Sequence, residues 1–193
     1  LRPGDCNKGR KGNWFAATNV VRFQNVSKFG QNVVVFRLGG SAMTTRTATC
    51  RCGALTIKCT GEPVRVSVCH CLACQQRTGA PLAAQDRWRG ADVELRGDAK
   101  QWTRRADSGH AATYSFCPTC GSTVAFVIEG WEGVTAVTMG AFVDPNFPAP
   151  KFSVYEHRKH DWIEVTGDDV KHSSTTSAQR MPGLNIDVDP KDN

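Results

Sequence analysis

A mainly β fold of short strands is the class that the sequence predicts, and three observations predict it. From Met43 onward, apolar and polar residues alternate with a period of two in several short runs. Glycines and an Asp144-Pro145-Asn146 turn separate those runs. Seven of the nine cysteines fall into three tight groups. The 193 residues, 40% hydrophobic and 22% charged, fit one ordinary domain with tails. A mean hydropathy of −0.37 argues against a wholly disordered chain and against one that spans a membrane. The longest run of large apolar residues, Val33-Val34-Val35-Phe36, is far too short to cross a bilayer.

Leu55, Ile57 and Cys59 alternate with Thr56, Lys58 and Thr60, the pattern of a half-buried strand. Val64, Val66 and Val68 alternate with Arg65 and Ser67 and deliver the chain to Cys69. One helical turn is predicted at Leu72–Arg77, between Cys71 and Gly79. Strands follow at Pro81–Trp88, around Val93 and Leu95, and at Gln101–Arg105 and Ala111–Phe116. Further strands are predicted at Ser122–Ile128, Val134–Met139 and Phe152–His157. Thr123–Ile128 is apolar on both faces, which predicts a central position.

The formal net charge of +6 would point to an acidic partner if it were spread over the chain. It is not. Residues 1–42 hold seven basic side chains and one acid, whereas 43–193 hold 17 of each sign. A neutral main segment lacks the basic footprint that nucleic-acid binding needs. Residues 1–42 are expected to be an expression leader or an over-extended start, despite a short apolar strand signal at Asn32–Leu38. Residues 43–166 are then the folded unit, and 167–193, rich in Ser, Thr, Asp and Pro toward the end, are expected to be disordered.

The cysteine groups are Cys50-Arg51-Cys52-Gly53, Cys69-His70-Cys71-Leu72-Ala73-Cys74 and Cys117-Pro118-Thr119-Cys120-Gly121. A Cys-x-x-Cys-Gly turn points two sulfurs at one ion, and its glycine allows positive φ with backbone N–H groups directed at thiolates. Sulfur sites of this kind select zinc or iron–sulfur clusters, and the spacings lack the ferredoxin arrangement. With no signal peptide and thiols grouped for metal, the chain is expected in the reducing cytoplasm. Seven ligands divide into four and three. Cys50 and Cys52 complete the knuckle of Cys117 and Cys120, leaving Cys69, Cys71 and Cys74 with an open position. The competing division joins Cys71 and Cys74 to Cys117 and Cys120 and strands the other three. A three-thiolate zinc carries a formal −1 charge and suits sulfur exchange better than hydroxide formation. Arg77, late in the helical turn, is placed to face a substrate carboxylate.

These motifs, in this order, resemble the glutathione-dependent formaldehyde-activating enzyme family, also called the centromere protein V-like family. The resemblance runs from about Thr47 to Val165 and includes Arg77-Thr78-Gly79 and, more weakly, Met139–Pro145 and Trp162. It implies a mainly β, Mss4-like zinc-bound fold of short antiparallel strands. It also implies two zinc ions per chain: a structural one on Cys50, Cys52, Cys117 and Cys120, and a labile, catalytic one on Cys69, Cys71 and Cys74. The activity implied is a carbon–sulfur lyase reaction that joins formaldehyde to glutathione as S-hydroxymethylglutathione. The expected route is thiol binding at the open zinc position, loss of its proton and attack on the aldehyde carbon. Partners expected are a small thiol and, as an open alternative to the monomer, a second copy of the chain.

Other residues have plainer readings. Cys59 reads as a small core residue, and Cys6 sits in the leader. His70 has a bland reading as a non-ligand and a sharp one as a fourth ligand of the three-cysteine site. His157 and His160 flank a charged stretch read as a solvated edge. Phe126, Trp131 and Phe142 read as core or pocket wall, and Tyr114 and Trp102 remain undecided between those roles. Two other functions stand beside the enzyme: a zinc-stabilised binding module without catalysis, and a thiol redox sensor.

Overall fold

The structure is a computed structural model, and it describes residues 43–106, 109–167 and 169–174. The leader assigned to 1–42, with its strand signal and Cys6, lies outside the described residues, as does 175–193. Among the described residues, eleven strands and one α-helix run in the order β1 Thr45–Thr49, β2 Thr56–Thr60, β3 Arg65–Cys69, α1 Leu72–Thr78, β4 Ala83–Arg89 and β5 Val93–Arg96. They continue with β6 Lys100–Arg105, β7 Ala111–Phe116, β8 Thr123–Ile128, β9 Val134–Thr138, β10 Phe152–Val154 and β11 Lys171–Ser173. Short 3₁₀ turns occupy Gly90–Asp92, Met139–Phe142 and Glu156–Arg158. Among the described residues, no helix is long and apolar enough to cross a membrane.

The strands form two sheets. A three-stranded antiparallel sheet has the order β1-β2-β5, and an eight-stranded sheet has the order β11-β10-β3-β4-β9-β8-β7-β6. The mainly β prediction is met, with one difference in detail: β10 runs parallel to both β3 and β11. That parallel edge includes Lys171–Ser173, a stretch for which disorder is expected from composition. Hydrogen bonding to β10 supplies what local composition lacks. The strand predicted at Phe152–His157 stops at Val154, where Tyr155 takes φ +60° and Glu156–Arg158 coils into a 3₁₀ turn.

Alternation decides which side chains enter the core. Leu55, Ile57 and Cys59 are fully buried, as their spacing predicts, together with Ala48, Trp88, Val124 and Val137. Phe142 joins this cluster, its ring 6.2 Å from that of Trp88, and so is core. β8 lies between β7 and β9, with Val124, Ala125 and Phe126 buried, although Val127 at its far end is exposed. β3 departs from the half-buried expectation, because all five of its residues, Arg65 and Ser67 included, are buried. Its polar face, Arg65 and Ser67, lines a chamber instead of facing open water.

Asp86 is a fully buried acid on the core side of β4. The Trp88 indole N–H donates to its Oδ1, while Oδ2 has no partner. Burial pushes its carboxyl up to about 7, against the downward pull of that hydrogen bond and of Arg87 and Arg46. Between about pH 4 and pH 7 the folded state therefore holds a proton that the unfolded chain has released. Stability falls as pH rises through that window and levels off above it. An Asp86→Asn variant is expected to lose this slope and to gain on the order of 3 kcal/mol over the parent at pH 8. Denaturant melts of both proteins at pH 5 and pH 8 check this, and parallel pH dependences would contradict it.

Candidate functional site

Two turns, one from each sheet, bring four sulfurs together. Cys50 and Cys52 occupy the turn between β1 and β2, and Cys117 and Cys120 the turn between β7 and β8. The four sulfurs lie within 4.8 Å of one another, with Cys50–Cys52 at 3.5 Å and Cys52–Cys117 at 3.6 Å. Metal–sulfur bonds of about 2.3 Å in a tetrahedron require sulfur–sulfur edges of roughly 3.8 Å, so the donor set fits one zinc ion. Gly53 and Gly121 adopt φ +80° and +73°. Their N–H groups donate to the carbonyls of Cys50 and Cys117, and it is Leu55 whose N–H donates to a sulfur, Cys50 Sγ, at 3.2 Å. Burial of Cys50 and Cys117 in the main apolar cluster seals the inner side of this group.

The second group forms where β3 runs into α1. Cys69 ends the strand, Cys71 caps the helix by accepting the Cys74 N–H at 3.4 Å, and Cys74 sits in the first turn. Their sulfurs also lie within 4.8 Å of one another. The division into four and three is thus the one that the fold makes, and the competing four-cysteine ribbon does not form. Three thiols this close cannot all ionise without a cation. Hydrogen bonds from Cys69 and Cys71 and the adjoining Arg77 guanidinium pull Cys74 well below the usual thiol range, against burial. Contacts with Cys71 and Cys74, together with burial, push Cys69 strongly up. A divalent ion resolves that conflict by allowing three thiolates at once. Both groups could hold a metal ion, and their chemistry is consistent with zinc.

His70 does not join the three sulfurs. It is fully buried, with Nε2 3.1 Å from Ser153 Oγ, and Ser153 Oγ donates to Glu156. Gln75 Nε2 donates to the His70 carbonyl at 2.7 Å and to the Arg158 carbonyl at 3.1 Å, tying α1 to the segment after β10. His160 Nε2 lies 3.1 Å from Gln75 Oε1 at the exposed edge. Cys59 is a core thiol, pushed up to about 12 by burial.

Two cavities adjoin the three-cysteine group. An outer groove of about 620 Å³ is lined by Gln76, Arg77, Trp102, Arg104, Tyr114 and Arg158, among others. A deeper chamber of about 80 Å³ has Cys69, Cys71 and Cys74 in its wall. Arg65, Ser67, Gln85 and Arg87 line it from the two strands, and Tyr114, Phe126 and Trp131 supply aromatic wall. The two cavities share Ala73, Arg104 and Tyr114. Arg77 stands at the groove with its guanidinium 5.3 Å from the Tyr114 ring centroid and 5.5 Å from that of Phe126. Its Nε and Nη2 are buried and have no partner. Sequence reasoning singled out Arg77 and missed Arg65, Gln85 and Arg87, because polar residues alternating on a strand read the same whether they face water or a cavity. The available signal was polar residues on one face of each of two successive strands, Arg65 and Ser67 on β3 and Gln85 and Arg87 on β4.

A β protein with two cysteine clusters that could each hold a metal ion, one joining turns of the two sheets and one in the wall of a chamber next to a basic groove, is the class that this architecture defines. The family model for the glutathione-dependent formaldehyde-activating enzymes matches residues 45–158, and the chain belongs to that family. A crystal structure of a Rhodobacter sphaeroides protein is similar over 51% of this chain and 91% of its own, at 23% identity with a TM-score of 0.42. No curated protein matches the chain.

Proposed function

We propose that this protein is a zinc-dependent enzyme of the carbon–sulfur lyase type that acts on a small thiol adduct. Glutathione with formaldehyde, giving S-hydroxymethylglutathione, is the reaction that the family name supports. The observation that carries this reading is the group of Cys69, Cys71 and Cys74 beside a groove lined by three arginines, with no acid among its lining residues. A zinc ion on three thiolates would supply a place for a further sulfur and lower that sulfur's affinity for its proton.

The chain's own residues do the rest. Arg77, with two buried unpartnered N–H groups, offers a charge-assisted bond to a glutathione carboxylate, and Arg104 and Arg158 extend the positive lining. Leaving those Arg77 donors unmet costs on the order of a few kcal/mol, which a bound carboxylate offsets. Tyr114 and Trp102 stack with centroids 6.0 Å apart and give the groove a flat apolar wall. Cys50, Cys52, Cys117 and Cys120 would hold a structural zinc, and residues 43–166 form the working unit. Thiols that must stay reduced fit the cytoplasm.

Two-dimensional exchange NMR on glutathione plus formaldehyde tests the proposal. Zinc-loaded full-length protein is expected to accelerate interconversion of free and hydroxymethylated glutathione well beyond the spontaneous rate. Unchanged exchange at micromolar protein would count against it.

A further inference from the structure

The chamber behind the three cysteines contains a charge arrangement that the fold alone does not explain. In the register of β3 with β4, Arg65 lies directly opposite Arg87, and Ser67 opposite Gln85. Like charges directly opposed across an antiparallel pair repel each other. Here both arginines are buried, at 7% and 6% exposure, so water screens little of that repulsion. Arg87 lies against the rings of Phe126 and Trp131, at 5.2 and 4.8 Å from their centroids, and its Nε and Nη1 have no hydrogen-bond partner. Gln85, 4% exposed, has an unpartnered Oε1 in the same wall. Among the described residues, no aspartate or glutamate lines the chamber, and the cysteine group in its wall, carrying a formal −1 with zinc bound, would balance only one of the two guanidiniums. Burial holds the Arg65 and Arg87 guanidiniums down to about 10, and each remains charged at neutral pH.

Size and position narrow the ligand. At about 80 Å³ against about 620 Å³ for the outer groove, the chamber is too small for a tripeptide and suits a molecule of a few heavy atoms. Along β3, Arg65, Ser67 and Cys69 share one face, so a group bound at Ser67 lies roughly 7 Å along the strand from the Cys69 position. One short molecule can therefore lie between the bound group and the cysteine site.

We propose that this chamber binds the carboxylate of a small carbonyl substrate through Arg87, so that the protein's aldehyde is a carboxylate-bearing one of glyoxylate size. The inference deepens the thiol–aldehyde reading and rests on it for the chemistry. The thiol S–H bond breaks, a carbon–sulfur bond forms at the aldehyde carbon, and the carbonyl becomes a hydroxyl that takes up the proton. No oxidant or reductant is needed.

Binding is measured first on zinc-loaded full-length protein by calorimetry, with acetate and its neutral isostere acetamide as probes. Acetate is expected to bind at least ~30-fold more tightly than acetamide, a charge-assisted preference. Arg87→Met and Gln85→Glu are each expected to remove most of that preference. The second variant adds an opposing carboxylate and keeps the arginine, so it decides the matter if the first does not fold. Equal binding of the two probes by the parent protein overturns the proposal, whatever the variants do. Exchange NMR with glutathione then compares glyoxylate with formaldehyde, and faster adduct formation with glyoxylate is expected. Conversion of formaldehyde with glyoxylate inert overturns the assignment of the aldehyde. Acetate binding without conversion of either aldehyde supports the carboxylate subsite and contradicts the proposed thiol–aldehyde function instead.

Discussion

Cys117→Ser is expected to abolish folding. Cys117 is fully buried in the main apolar cluster, and its sulfur lies 3.6 Å from that of Cys52, 65 positions away in the chain. The four-cysteine group therefore joins the turn of the three-stranded sheet to a turn of the eight-stranded one. A metal held there closes a long loop and fixes both turns at once. Structural zinc contributes on the order of 10 kcal/mol in such sites, comparable with the whole stability of a domain. Serine offers a harder, more strongly protonated oxygen and leaves three sulfurs that repel one another once ionised. Circular dichroism and thermal melting read the outcome: no cooperative transition is expected for the variant. A melting temperature within a few degrees of the parent would show that the group does not hold the fold together.

Cys71→Ser is expected to leave the fold and remove the activity. The three cysteines lie within six residues, on a strand end and a helix start that backbone hydrogen bonds already fix. The His70 N–H donates to Val154 O at 3.0 Å, and the Gln75 N–H to Cys71 O at 3.1 Å. A metal here joins no distant segments, so its loss costs the fold little. Serine can still cap α1 as cysteine does, accepting the Cys74 N–H. The sulfur set falls to two, and exchange between glutathione and its formaldehyde adduct is expected to drop by ~100-fold or more, the upper end of what losing even an outer partner of a metal site costs. Melting is expected within a few degrees of the parent. Exchange NMR checks the first expectation, and a rate within threefold of the parent would remove the three-cysteine group from the mechanism.

How much of this was legible beforehand depended on range. Leu55, Ile57 and Cys59 announce their burial because a strand's two-residue period is written in the residues themselves. The cysteine groups announce two clusters that could hold a metal because ligand spacing within a turn is local. β1 escaped prediction because Thr45–Thr49 holds a single apolar residue, Ala48, and becomes a strand by pairing with β2. β11 escaped for the same reason, since it exists through its parallel pairing with β10. The chamber was hidden most thoroughly. Arg65 and Ser67 looked like the wet face of β3, and only the register with β4 and the covering rings of Phe126 and Trp131 turn that face inward.

Counting the metal tests the central claim most directly. The account predicts that full-length protein purified with zinc and reduced thiols contains two zinc ions per chain. One should leave on mild chelation with the fold intact and return on adding zinc, and the other should leave only as the protein unfolds. Cys71→Ser should retain one tightly held ion. A single ion per chain that resists chelation, with Cys71→Ser carrying the same content as the parent, would contradict the division of seven cysteines into a structural four and a functional three.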